Sequence, residues 1–162
     1  SDGTCPSGKT RYDGRMPQSP MDMALALAEE AAAAGEAPVG AVIVENGEVL
    51  AAERNRMRER SDPTAHAEML VMRAGAAALG NERLGGTTLY ASLEPCAMCA
   101  GAISHARIGR LVFAAEDEKG GAILHGPRFF DQLTCHHRPS VARASDAEAA
   151  GAALKDFFRA RR

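Results

Sequence analysis

A chain of 162 residues has room for one domain with a sizeable core, and a net charge of −2 sets it apart from a dedicated polyanion binder while leaving local basic patches open. No apolar run approaches the ~18 residues of a membrane span and the N-terminus has no secretory apolar region, so the expectation is a cytoplasmic protein with no membrane partner. Hydrophobic residues make up 46% but aromatics only 4%, which predicts close packing of alanine-rich helices, and the four cysteines divide into a closely spaced pair and two in unlike contexts, so disulfides are not expected.

Residues 1–18 are rich in Gly, Ser, Pro and Asp without apolar periodicity and read as a flexible N-terminal arm; residues 19–162 are the domain. Ser19-Pro20 offers an N-cap with proline in the first turn, and a helix runs from there to about Ala34 before Gly35. The apolar run Pro38 to Val44, the dipeptide Asn46-Gly47 and the stretch Glu48 to Asn55 predict a β-hairpin. Its return strand delivers Asn55, whose amide could read donors and acceptors on a ring or simply brace a turn. Arg54 to Arg60 carries four arginines, read as a solvated loop with phosphate binding as the rival.

Thr64 is a candidate cap for a helix from Ala65 to Leu79, which places His66 and Glu68 at its N-terminus. Thr87 to Ser92, a loop and helix over Glu94 to Ala106, and Arg110 to Ala115 form a β-α-β unit with parallel strands. Cys96 and Cys99 fall where that helix begins. Beyond it, Ile123 to Phe130 reads either as a pocket rim or as a short helix anchored by Phe129 and Phe130. Cys135-His136-His137 shows no third partner for a second metal. Val141 to Ala144 is the last expected strand, and Asp146 caps a C-terminal helix.

The chemistry concentrates in Pro95-Cys96-Ala97-Met98-Cys99 together with His66-Ala67-Glu68. Two thiolates two residues apart and one imidazole from another helix make three ligands for Zn²⁺, leaving a fourth position for water, whereas a structural zinc is closed by four protein ligands. Glu68, two residues beyond His66, can then handle protons without being a ligand. Each residue alone has a plainer reading: a surface histidine, small buried cysteines, a capping acid. A nucleic-acid-binding module with a structural zinc is the rival class, and a fourth protein ligand is its mark.

These residues, with Pro38-Val39-Gly40-Ala41-Val42, Asn55-Arg56, Asp62-Pro63-Thr64, Leu93-Glu94 and Phe157-Phe158-Arg159, resemble the cytidine and adenosine deaminase superfamily, in particular its bacterial tRNA adenosine deaminase and free-nucleobase deaminase branch. The resemblance covers nearly all of the chain after the first twenty residues. It implies a three-layer α/β/α fold around a five-stranded mixed sheet, a homodimer, zinc held by His66, Cys96 and Cys99, and hydrolytic removal of an exocyclic amine as ammonia with Glu68 as proton carrier. It also implies that Asn55, Ala67 and nearby backbone hold the target base.

After Asp117 the chain departs from the tRNA-editing pattern of small residues. Ala122 to Phe130 is bulky, and Thr134-Cys135-His136-His137 follows. The expectation drawn from that bulk and from the modest charge is a free nucleobase or related small aminated heterocycle, with His125, Phe129 and His137 lining its pocket. The wobble adenosine of a tRNA anticodon loop is the alternative.

Overall fold

The computed structural model describes residues 19–144; the arm at 1–18 and the helix expected from Asp146 lie outside the described residues. Helix α1 (Pro20–Ala33) starts with a reciprocal cap in which Asp22 N donates to Ser19 Oγ at 3.1 Å and Ser19 N donates to Asp22 Oδ2 at 3.3 Å. Strands β1 (Gly40–Glu45) and β2 (Glu48–Arg54) form the hairpin, turned by Asn46 and Gly47 with φ of 51° and 78°, the left-handed pair that matches strand twist.

Helix α2 (Ala67–Leu79), strand β3 (Thr88–Leu93), helix α3 (Ala97–His105), strand β4 (Arg110–Ala115), a short 3-10 helix at Phe129–Asp131 and strand β5 (Ser140–Arg143) follow. The sheet order is β2-β1-β3-β4-β5. Strand β1 is antiparallel to both β2 and β3, whereas β3, β4 and β5 run parallel, giving the five-stranded mixed sheet expected.

Period-two alternation along the strands separates two cores. Val42, Tyr90, Val112 and Ala114 meet Met21 and Ala24 of α1, while Ala41, Ile43, Leu89, Leu111 and Phe113 meet Val71 of α2 and Ile103 of α3. Among the described residues, one helix on one face and two on the other make the α/β/α layering. At the start of β1 the backbone of α1 comes very close: a Cβ on Gly40 would strike Ala24 O and lie 2.7 Å from Leu27 Cβ and 2.9 Å from Ala28 N. Gly40→Ala is therefore expected to cost about 1–3 kcal/mol or more through overpacking against backbone that has little room to shift. Thermal unfolding measures it, and an unchanged midpoint would mean that α1 can slide away.

Several boundaries differ from the sequence reading. Helix α2 begins at Ala67, not Ala65, with His66 as its N-cap. Thr64 does not cap it, because both its amide and its hydroxyl donate to Asp62 Oδ1, at 2.8 and 2.7 Å. Strand β1 begins at Gly40 and β5 at Ser140, and Asn55 lies just past the end of β2.

Candidate metal and catalytic site

Two helix N-termini meet where parallel strands β3 and β4 end. Cys96 is the N-cap of α3 and His66 the N-cap of α2, and neither side chain caps its own helix. Both are thus free to turn toward a common point in the positive field of two helix starts. Cys99, one turn into α3, is fully buried. His66 Nδ1 lies 3.6 Å from Cys96 Sγ and 3.6 Å from Cys99 Sγ, and all three donor atoms fall within 4.8 Å of one another.

Ligands at ordinary zinc bond lengths on a tetrahedron sit roughly 3.5–3.8 Å apart, so the two imidazole-to-sulfur spacings fit a Zn²⁺ ion. Among the described residues no fourth protein ligand joins the group, as an open, reactive site requires and a structural one does not. The proton balance agrees. Hydrogen bonding from Cys99 and His66, against the cost of burial, brings the Cys96 thiol down to about 4, while the bond to Cys96 and burial push Cys99 well above the ordinary thiol range. The bond to Cys96 also raises His66. A divalent cation at this point would favour the anionic form of both sulfurs.

Glu68 stands in the first turn of α2, only 4% exposed, and its Oε1 is fully buried without a hydrogen-bond partner among the described residues. An orphaned carboxylate oxygen of that kind is costly, and a substrate or water proton is what satisfies it. Burial lifts its pKa to about 7, with the nearby Cys96 adding to the rise. A carboxyl poised there both takes and returns a proton near neutrality.

Asn55 is 3% exposed and accepts a 2.6 Å hydrogen bond from Ala67 N through Oδ1. The amide thus satisfies the first N–H of α2 and fixes the helix that carries Glu68, leaving Nδ2 without a partner among the described residues. Ala67 N–H is committed by the same bond and is not free for a ligand, which narrows the part expected of that residue. The basic loop is equally organised. Glu36 Oε1 and Oε2 accept the amides of Arg58 and Glu59, at 3.0 and 2.8 Å, while Arg54 and Arg56 pair with Glu59, and Arg56 also with Glu53. Arg58 and Arg60 are exposed, and among the described residues no ion pair engages either.

Each of the three expected pocket residues of the later segment makes a contact within the fold. His125 Nδ1 lies 2.9 Å from Glu94 Oε1, and His137 Nε2 donates to Ile108 O at 2.7 Å. Phe129 opens the 3-10 helix and packs against the core, its ring 3.8 Å from where a Cβ on Gly101 of α3 would lie, and Phe130 is 8% exposed. Phe130 is anchored in the core, and Phe129 is partly buried against it. Two residues that sequence reasoning passed over also emerge: Glu36, which shapes the basic loop, and Glu94, which binds the segment after β4. Neither has a local signature, since their partners lie twenty-two or more residues away.

The sequence model of the family described as MafB19-like deaminase matches residues 17–162. A tRNA-specific adenosine deaminase of Agrobacterium fabrum is 51% identical over 142 residues, 88% of this chain and 93% of that protein. A structure solved in studies of A-to-I editing by tRNA:A34 deaminases at the wobble position of transfer RNA superposes with a TM-score of 0.76 at 54% identity, covering 77% of this chain and 96% of that one. Guanine deaminase from Bacillus subtilis has a TM-score of 0.60 at 31% identity, covering 88% and 91%.

These similarities confirm a deaminase and overturn the expected substrate. Relatives at about half identity are tRNA-specific, and the free-base enzyme is markedly more distant. The small-heterocycle reading rested on bulk between Ile123 and His137, of which Ile123 and Phe130 are buried in the core and His125 and His137 bond to Glu94 and Ile108 O, while Leu124 and Leu133 are exposed.

Proposed function

Because this chain belongs to the MafB19-like deaminase family, we propose that it deaminates adenosine in tRNA, converting the wobble adenosine of an anticodon loop to inosine with release of ammonia. The observation that carries this reading is the 51% identity to a tRNA-specific adenosine deaminase along 93% of that protein's length. Exposed Arg58 and Arg60, on the loop between Asn55 and His66, support it as groups able to meet an RNA backbone.

His66, Cys96 and Cys99 would hold Zn²⁺, which when bound supplies Lewis-acid activation of water at neutral pH. Glu68 takes a proton from the attacking water and delivers it to the ring nitrogen beside the reacting carbon. The carboxyl then passes the second proton to the departing amine, so adenosine and water leave as inosine and ammonia with Glu68 unchanged. Its burial keeps bulk water from draining the proton in between. Asn55 Nδ2, the unpartnered half of a buried amide, donates to an acceptor on the base.

The test is a paired assay with a tRNA anticodon stem-loop carrying a wobble adenosine and a panel of free adenine, guanine and cytosine. Inosine formation in the RNA with no ammonia from the free bases is expected. Efficient turnover of a free base with an inert stem-loop would reverse the assignment.

A further inference from the structure

Glu94 immediately precedes Pro95-Cys96, is 2% exposed, and gathers donors from the whole segment after β4. Its Oε2 accepts the amides of Ile123, Leu124 and His125 at 3.0, 2.9 and 3.2 Å, and its Oε1 accepts Asp117 N at 3.1 Å and faces His125 Nδ1 at 2.9 Å. Four amides and an imidazole saturate one carboxylate. Burial alone would raise its pKa, but the bonds from His125 and the amides outweigh it and hold the group ionised.

The segment so gathered lies against the ligand helix. Ala122 N donates to Pro95 O at 2.9 Å, Phe129 N donates to Ala122 O at 2.7 Å, and the Phe129 ring stands 3.8 Å from where a Cβ on Gly101 would lie. His125 continues the clamp outward, with Nε2 3.8 Å from Glu116, whose carboxylate pairs with Arg143 of β5 at 2.8 Å. Gly121 fits only as glycine: a Cβ there would strike Glu94 Oε2 and come within 2.5 Å of Asp117 O.

The geometry points to Glu94 as a positioning residue that fixes segment 117–125 as a wall beside Cys96 and Cys99 and so sets how tightly the substrate is held. It acts through the backbone it binds and touches neither the reacting atoms nor the metal donors. Glutamine cannot replace it. An amide nitrogen in place of one oxygen would point donors at Asp117 N–H or at the three amides on the other side. The inference rests on the tRNA adenosine reading for its kinetic arm alone.

The experiment compares zinc-loaded wild type, Glu94→Gln and Gly121→Ala by zinc content, amide hydrogen exchange, and kcat and KM on the anticodon stem-loop. In Glu94→Gln the amides of 117 and 123–125 should exchange about 10- to 100-fold faster, with α2 protected as before and zinc retained. KM should rise about tenfold with kcat within about threefold of wild type, the pattern of lost binding rather than lost chemistry. Gly121→Ala, which leaves the carboxylate in place but displaces it, should show the same split more weakly, and it carries the test alone if Glu94→Gln does not fold. Unchanged exchange, zinc lost in step with activity, or a fall in kcat at constant KM would each overturn the proposal. If wild type leaves the stem-loop unconverted, the substrate reading fails while the exchange result still decides the role of Glu94.

Discussion

Glu68→Gln should bind zinc as wild type does and lose about 10³-fold in kcat, roughly 4 kcal/mol of transition-state stabilisation. The residue lies outside the cluster formed by His66, Cys96 and Cys99, so its loss leaves the donor set whole. Glutamine is nearly isosteric and neutral, and it suits a site where burial already disfavours the carboxylate. What it lacks is the ability to accept a proton from water and hand it to a ring nitrogen. Measuring bound zinc together with inosine formation separates the two roles: full zinc with near-normal turnover would remove Glu68 from the mechanism. A smaller change, Glu68→Asp, keeps the acid but draws it back by one methylene from the place where Oε1 now lies buried and unpaired, and an intermediate loss is expected.

How much of this could be read from the chain depends on how local each signal is. Asn46-Gly47 encodes its own turn, and the apolar runs flanking α3 encode a parallel pair, because the relevant partners are close in sequence. The grouping of His66, Cys96 and Cys99 was legible for a related reason. Cys96 and Cys99 are fixed relative to each other by one helical turn, so only His66 had to be brought in from elsewhere. The start of α2 was misplaced because Thr64 had a nearer acceptor in Asp62, a competition that composition does not reveal.

The segment from Ile123 to His137 was misread for a deeper reason. Residue type gives the size of a side chain but not the side to which it turns, and here Phe130 turns to the core, His125 to Glu94 and His137 to Ile108 O. Glu94 reads in the sequence as the first residue of the loop that enters the cysteine helix, with nothing local to mark its partners. Its importance comes from donors that only the parallel packing of β3 and β4 and the return of the chain bring within reach, with Glu94 N already bonded to Ala115 O at 2.8 Å. Orientation and long-range capture, rather than motif, decide the substrate wall.

Cys99→Ala should be the most damaging single change, with zinc lost and activity down at least about 10⁴-fold, since water without a metal keeps its ordinary pKa of ~15.7 rather than ~7. Cys99 is fully buried and would supply one of three ligands, so its removal would leave two donors among the described residues of the group. Chelation of the wild-type protein should reproduce the loss and also lower the thermal midpoint, because an ion that binds only the folded chain stabilises it by mass action. Adding Zn²⁺ back should restore activity and midpoint in wild type and only the midpoint in Glu68→Gln, which separates the metal's structural contribution from the proton transfer. Loading with Co²⁺ supplies an independent readout: thiolate-to-metal charge-transfer absorption should appear in wild type and in Glu68→Gln and weaken in Cys96→Ala and Cys99→Ala. A Cys99→Ala protein that keeps both its zinc and its turnover would mean that the ion is held elsewhere, and the convergence of two helix N-caps on His66 and Cys96 would need another explanation.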